Sequence, residues 1–313
     1  MKKFDFDFYK NRKILFGISI GLMVIGLIFN FIRGTKMDIQ FVGGAMIKYS
    51  VDGEVDTDEI ASLVKEETGR DVSVALSKTF GTDANQVTLS FAGNEAVTLD
   101  EQQAIAQSLS DAYADRTFNV VESSSVDPTM GAKFFQKCLV CLLITFVILL
   151  VYIALRFKKI GGLSAGVTAL IALVHDVLLV YFAFVIFGFS INDIFIAVIL
   201  TILGYSLNDT IIIYDRIREN RRIMGPKAEI GELVNASINQ TLTRTINTSV
   251  ATVMAVGVVV VVGLVYNLSS VVTFALPLMF GIICGCYSST CITGPLWVVW
   301  RRYRAKKLDA KKA

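Results

Sequence analysis

The sequence predicts an α-helical integral membrane protein with six transmembrane helices and an α+β, ferredoxin-like extracytoplasmic domain between spans 1 and 2. Three observations carry this expectation. Hydrophobic residues fill 54% of the 313 positions, more apolar surface than a soluble core of this length needs. Six stretches are long and apolar enough to cross about 30 Å of hydrocarbon as helices. A polar region with strand and helix periodicities separates the first stretch from the second.

The stretches lie at roughly 14–32, 136–155, 161–187, 191–214, 246–265 and 271–299. The first follows Lys2, Lys3, Lys10, Arg12 and Lys13. It is too long for a signal core and has no small-residue cleavage site before Arg33, so it reads as an uncleaved span. Basic residues set the orientation. Arg156, Lys158 and Lys159 follow the second span, Arg216, Arg218, Arg221, Arg222 and Lys227 the fourth, and Arg301, Arg302, Arg304, Lys306 and Lys307 the sixth. The short connections 188–190 and 266–270 have no base. Both termini are therefore expected in the cytoplasm and the 33–133 region outside, where acids outnumber bases about two to one.

Within that region, Ala45 to Val51 alternates as a strand. Thr57 to Thr68 places Ile60, Leu63 and Val64 at helical spacing ahead of Gly69. Asp71 to Phe80 and Gln86 to Ala92 alternate again around a turn at Asp83 to Asn85. Leu99 to Tyr113 reads as a helix with Ile105, Leu109 and Ala112 on one face, and Phe118 to Val126 as a last strand. The order βαββαβ predicts the ferredoxin-like sandwich. The expected division is 1–35 (N-terminal segment and first span), 36–132 (outer domain), 133–300 (five-helix bundle) and 301–313 (basic tail).

Small residues one turn apart, Gly17 with Gly21 and Gly281 with Gly285, predict close internal helix packing, and Pro277 predicts a kink that Gly281 would ease. All five cysteines lie in apolar runs, so no disulfide framework is implied. Cys138 and Cys141 form a C-x-x-C without a second ligand pair and read as packing.

The chemistry concentrates in Gly204-Tyr-Ser-Leu-Asn-Asp-Thr210, a polar cluster inside the fourth span. A carboxylate at the centre of a spanning helix costs about 2.5–3.5 kcal/mol even on the lenient insertion scale, so Asp209 should face protein or water with a partner. Ser206, three residues earlier, shares its face. Asn208 adds an amide. The fifth span answers with a stripe at helical spacing, Thr241, Thr245, Thr248 and Thr252, flanked by Asn239, Gln240, Arg244, Asn247 and Ser249. Arg244 is the base best placed to reach Asp209, and a change in their separation would load and unload a proton. Interhelical glue is the plainer reading of the threonines. His175 and Asp176 in the third span are further candidates, although neighbours on a helix diverge by about 100 degrees and both cannot face one partner. Asp193 reads as a helix cap near the outer surface.

The segment Gly204-Tyr-Ser-Leu-Asn-Asp-Thr-Ile-Ile-Ile-Tyr-Asp-Arg-Ile-Arg-Glu-Asn220, with Ser237-Ile-Asn-Gln-Thr-Leu-Thr-Arg-Thr245, His175-Asp-Val177 and Phe41-Val-Gly-Gly44, resembles the SecF family of protein-export subunits within the resistance-nodulation-division superfamily. The resemblance covers the whole chain. It implies a bacterial cytoplasmic-membrane subunit that pairs with SecD and works beside the SecYEG channel, with YajC and YidC as further partners and a translocating preprotein as cargo. In that family ion flow at a transmembrane acid and arginine is thought to drive outer-domain movement, and the matching positions are Asp209 and Arg244. Two positions depart from the family pattern: Gln40 where an Asp is usual, and Val126-Asp-Pro128 where Val-Gly-Pro is usual.

No enzyme is expected: the chain has no phosphate-binding Gly-rich loop, no nucleophile with a positioned base and one histidine. No cofactor, metal or nucleic acid is called for; the energy source is an ion gradient, of protons or of sodium, and the other partner is membrane lipid. The alternatives are a small-molecule or metal efflux half-transporter of the same architecture, and a noncatalytic assembly subunit whose polar helices only hold SecD.

Overall fold

The computed structural model describes residues 6–53, 55–78, 84–92, 97–113, 116–126, 128–225, 228–266 and 268–310. Lys2, Lys3, Phe80, the turn residue Asp83, Asp127 and Lys227 lie outside the described residues. Among the described residues, six helices are long and apolar enough to cross a membrane.

Helix α1 (Arg12–Arg33) leads into a one-turn helix α2 (Ile39–Val42) and strand β1 (Gly44–Asp52). There follow α3 (Thr57–Thr68), β2 (Val72–Lys78), β3 (Ala84–Ala92), α4 (Leu99–Ala112) and β4 (Asn119–Val126). The four strands form one antiparallel sheet in the order β2-β3-β1-β4, with Ile47 opposite Leu89 on one side and Ser123 on the other. Local chemistry sets the helix limits. Asp56 accepts from the N–H groups of Asp58 and Glu59, and Gly69 ends α3 in the left-handed conformation at φ 66°. Thr98 and Glu101 form a reciprocal capping box on α4. Alternation then decides the core: Ala45, Ile47, Tyr49 and Val51 of β1 and Val87, Leu89 and Phe91 of β3 are buried beneath Ile60, Val64, Ile105 and Leu109. No residue of β4 is buried.

The remaining spans are α5 (Pro128–Arg156), α6 (Gly162–Phe187), α7 (Asp193–Met224), α8 (Ile230–Val265) and a last span of α9 (Ser269–Tyr287), a π-helical turn (Ser288–Thr293) and α10 (Gly294–Asp309). A 3-10 turn, Lys158–Ile160, joins α5 to α6. Helix α6 is central, touching α1, α5, α7 and α9. Hydropathy finds only the apolar part of each helix. Thus α5 begins eight residues before the expected 136, α7 runs ten beyond 214, and α8 starts sixteen before 246. The α7 and α8 extensions are amphipathic: Ile213, Tyr214 and Ile217 pack with Leu233, Val234 and Ile238 while charged residues face outward.

Glycines confirm one packing expectation and correct another. A Cβ on Gly281 would stand 2.0 Å from Ile202 Cδ1, and one on Gly285 3.0 Å from Ser206 Cβ, so this pair does bring α9 against α7. Gly17 and Gly21 have nothing within 4 Å of a Cβ. Helix α1 instead buries Leu15, Ser19 and Gly26, the last under the Phe182 ring, and its two earlier glycines face away. Pro277 lies inside α9, but the change of helix type comes at the π turn eleven residues on.

The sheet domain is tied to the spans through the α1–β1 link. Asp38 N–H donates to Ile191 O at 3.0 Å and Ile191 N–H to Lys36 O at 2.8 Å, while Phe41 packs between Phe134 and Phe135 of α5. Gln40, one of the two departures from the family pattern, accepts from Asp193 N–H at 3.3 Å. Asn192, not Asp193, caps α7 by accepting from Phe195 N–H. Asp193 sits one position inside the helix as the acid of its first turn.

Candidate functional site

The residues singled out in the spans divide into two groups. One surrounds Asp176, which is fully buried on α6. Its Oδ2 accepts from Ser206 Oγ of α7 at 2.7 Å and from Ser288 Oγ of the π turn at 2.7 Å, and its Oδ1 lies 3.1 Å from His175 Nδ1. Ser289 Oγ donates to the Ser206 carbonyl at 3.0 Å and receives a bond from Thr210 Oγ1 at 3.1 Å. Gly285 makes this approach possible. Three helices thus meet on one carboxylate whose two oxygens both have partners, as low-dielectric burial demands. The π turn opens the α9–α10 register where Ser288 and Ser289 reach α6 and α7, a common role for such irregularities.

The second group is Asp209 with the polar stripe of α8. Asp209 is 1% exposed, and its Oδ2 has no hydrogen-bond partner. Arg244 lies close enough to act on it electrostatically, but no ion pair within 4 Å joins the two. The expected direct pairing is therefore not formed in this structure. Arg244 is exposed instead, and helps line a cavity of about 900 Å³ with Ile212, Arg216, Gln240 and Thr241. Thr245 Oγ1 on the same helix is buried and also without a partner. Asn208 and Thr248 are exposed; Thr248 Oγ1 donates back to the Arg244 and Thr245 carbonyls, which satisfies it without a second helix.

Ser206 and Asp209 were expected on one face. They separate because the three-residue step, also about 60 degrees short of a full turn, leaves Ser206 toward α6 and α9 and Asp209 toward the α8 side. His175 is drawn back onto Asp176, and its buried Nε2 has no partner.

Two secondary candidates have other work. Asn239 Oδ1 accepts from Phe6 N–H at 3.1 Å and its Nδ2 donates to Phe6 O at 2.9 Å, while Asn235 one turn earlier accepts from Phe8 N–H. The pair clamps the chain ahead of α1 onto α8. Gln240 Oε1 accepts from Arg216 Nε at 2.6 Å and from Asn220 Nδ2 at 2.8 Å, locking the α7–α8 extension. Neither reaches Asp209. The sequence reading missed Thr210, Ser288 and Ser289 as members of the Asp176 group. Ser288-Ser-Thr290 is a polar run inside an apolar span, the same kind of signal that marked α8.

A family model for "Protein export membrane protein SecD/SecF, C-terminal" matches residues 105–303. The chain is 31% identical over 308 residues to the protein translocase subunit SecF of Petrotoga mobilis, covering 97% of this chain and 99% of that one. It is 31% identical to the protein translocase subunit SecDF of Bacillus subtilis, again over 97% of this chain but 39% of the longer protein. Among solved structures, SecDF from Thermus thermophilus superposes with a TM-score of 0.78 at 26% identity, over 95% of this chain and 39% of that one. SecDF in a super-membrane-facing form gives 0.68 at 27% identity, over 99% of this chain and 40% of that one. With sequence match, full-length coverage and fold in agreement, this multi-pass membrane protein belongs to the SecF family.

Proposed function

We propose that the chain is the SecF subunit of a protein-export complex in the bacterial cytoplasmic membrane, and that it couples ion flow, of protons in the first instance, to movement of its outer domain. The observation that carries the reading is Asp209: a buried carboxylate with an orphaned oxygen, within electrostatic reach of Arg244 but not bonded to it. A carboxylate kept only for structure would have both oxygens satisfied, as Asp176 has. One that exchanges an ion needs a free oxygen and a nearby charge whose distance can change.

The partner is a SecD subunit. Asn208 on α7 and Arg244 and Asn247 on α8 are exposed polar side chains at membrane depth, where lipid would leave them unsatisfied. The fused SecDF relatives, of which this chain spans about 40%, supply the missing half in one polypeptide. Both termini then lie in the cytoplasm. The βαββαβ sheet domain, with strand order β2-β3-β1-β4, is a ferredoxin-like unit on the outer side, residues 36–132, ahead of the 133–300 bundle and the basic segment 301–313. SecYEG, YajC and YidC are the neighbouring components, and the preprotein is the cargo. The subunit carries no catalytic site of its own.

The test is preprotein export into sealed vesicles by SecYEG, SecD and either this chain or its Asp209→Asn variant, with and without an imposed proton gradient. Gradient stimulation should disappear in the variant while assembly with SecD persists. Equal stimulation of an assembled variant would make Asp209 structural and favour an assembly role. Stimulation restored by a sodium gradient alone would reassign the ion.

A further inference from the structure

The α5–α6 turn and the end of α7 enclose a small cavity of about 260 Å³ whose described lining is Lys159, Ile160, Arg218, Arg221 and Arg222. Four of the five are bases and none is an acid. Arg218, Arg221 and Arg222 stand at i, i+3 and i+4, so they share one face of α7, where like charges repel unless an anion lies between them. Two carboxylates line the larger neighbouring cavity with Arg218 and Arg222, and both are engaged: Asp215 is divided between Arg218 at 2.7 Å and Arg156 at 3.2 Å, and Glu219 pairs with Arg216 at 2.6 Å. Lys159 and Arg222 form no ion pair among the described residues. A fifth base closes on the same turn: a Cβ on Gly161 would come 2.9 Å from Arg301 Nη1, and Arg301 in turn feels the charges of Arg221 and Arg304.

The depth of the cavity identifies what fills it. Arg301 stacks over Trp297 at 5.6 Å, and the next aromatic residues of α10, Trp300 and Tyr303, are exposed. Exposed Trp and Tyr at the end of a span mark the headgroup level of a bilayer. Gly161 directly follows Ile160 of the lining and Arg301 reaches it, so we infer that the cavity lies at that level. Ile160, buried at its edge, provides the apolar side that a glycerol backbone would meet.

We propose that this cavity binds the phosphate of an anionic phospholipid, held chiefly by Lys159 and Arg222 with Arg218, Arg221 and Arg301 around it. The phosphodiester supplies the missing counter-charge between α7 and the α5–α6 turn. This goes beyond the export reading and does not depend on Asp209. Juxtamembrane bases are worth about a fivefold gain in affinity each for anionic lipid, so the two free bases together account for roughly 25-fold.

The chain's two tryptophans, Trp297 and Trp300, lie beside the site and make it observable. The full chain in phosphatidylcholine vesicles is titrated with dibrominated phosphatidylglycerol, and with dibrominated phosphatidylcholine as reference, reading tryptophan quenching. Brominated phosphatidylglycerol should quench at a mole fraction roughly 25-fold lower. Lys159→Gln with Arg222→Gln should abolish the preference. Lys159→Arg with Arg222→Lys should keep it, showing that loss in the first variant is not misfolding. Lys306→Gln with Lys307→Gln, which removes equal charge from the tail, should leave it unchanged. A preference that survives the first pair, or falls equally with the tail pair, overturns the site in favour of diffuse surface attraction. Competition by excess inorganic phosphate overturns the lipid source in favour of free phosphate, and competition by an RNA oligonucleotide overturns it in favour of nucleic acid.

Discussion

Two aspartates lie in the middle of neighbouring helices, and their surroundings are opposite. Asp176 on α6 has a partner on each oxygen, drawn from α7, from the π turn and from its own neighbour His175. Asp209 on α7 is equally buried, has an orphaned Oδ2, and has its one nearby base turned toward an open cavity. Burial alone therefore says little about what an intramembrane acid does; satisfaction of its oxygens separates a structural knot from a site able to exchange an ion.

The largest expected effect lies in the satisfied group. Asp176→Ala would strand the buried Ser206 hydroxyl and the His175 ring and leave Ser288 with the Gly285 carbonyl as acceptor, and should cost roughly 3–5 kcal/mol of stability, by analogy with breaking a buried pair. Thermal unfolding in detergent reads it; a loss below about 1 kcal/mol would mean that the knot carries little. Gly281→Val is next. Its side chain would collide with Ile202 and Val180, and overpacking of this kind costs about 1–3 kcal/mol, read in the same assay. Asn239→Ala should release the segment ahead of α1, costing roughly 1–2 kcal/mol locally, visible as faster amide exchange at Phe6 with exchange at Phe91 unchanged.

The smallest stability effect should be Asp209→Asn, within about 0.5 kcal/mol or stabilising, because it removes a charge that has no bonded partner. A loss as large as that of Asp176→Ala would erase the contrast between the two acids. A control outside the spans concerns Asp38 in the α1–β1 link. Burial raises its carboxyl above the ordinary value, opposed by the Gln40 N–H and reinforced by Asp193. A carboxyl raised in the folded state binds its proton more tightly there than in the unfolded chain. Its stabilising contribution is thus full below the ordinary carboxylate pKa and is lost as pH rises through the folded value. Asp38→Asn keeps the acceptor oxygen and should flatten that part of the pH–stability curve; an unchanged curve would remove Asp38 as its source.

The spans, the sheet domain's element order and the polar segments of α7 and α8 were legible from periodicity and from the cost of placing polar groups in lipid. Helix limits within the outer region were legible too, since Asp56, Gly69, Thr98 and Glu101 act on residues a few positions away. The lengths of α7 and α8 were not, because their extensions are stabilised by contact with each other and with Asn220, Ser237 and Gln240, and hydropathy does not register such contacts. The partner of Ser206 was equally hidden: three positions along a helix bring it near Asp209 in sequence, yet the small side of Gly285 lets α9 close on it and the π turn carries Ser288 to Asp176.

By itself, then, the sequence determined which residues lipid could not tolerate and what folds between the first two spans, because both follow from local spacing and from the price of desolvation. Only the tertiary structure decided which of those residues are quieted by one another and which are left open, because hydrogen-bond satisfaction depends on helices far apart in the chain meeting at a few ångströms.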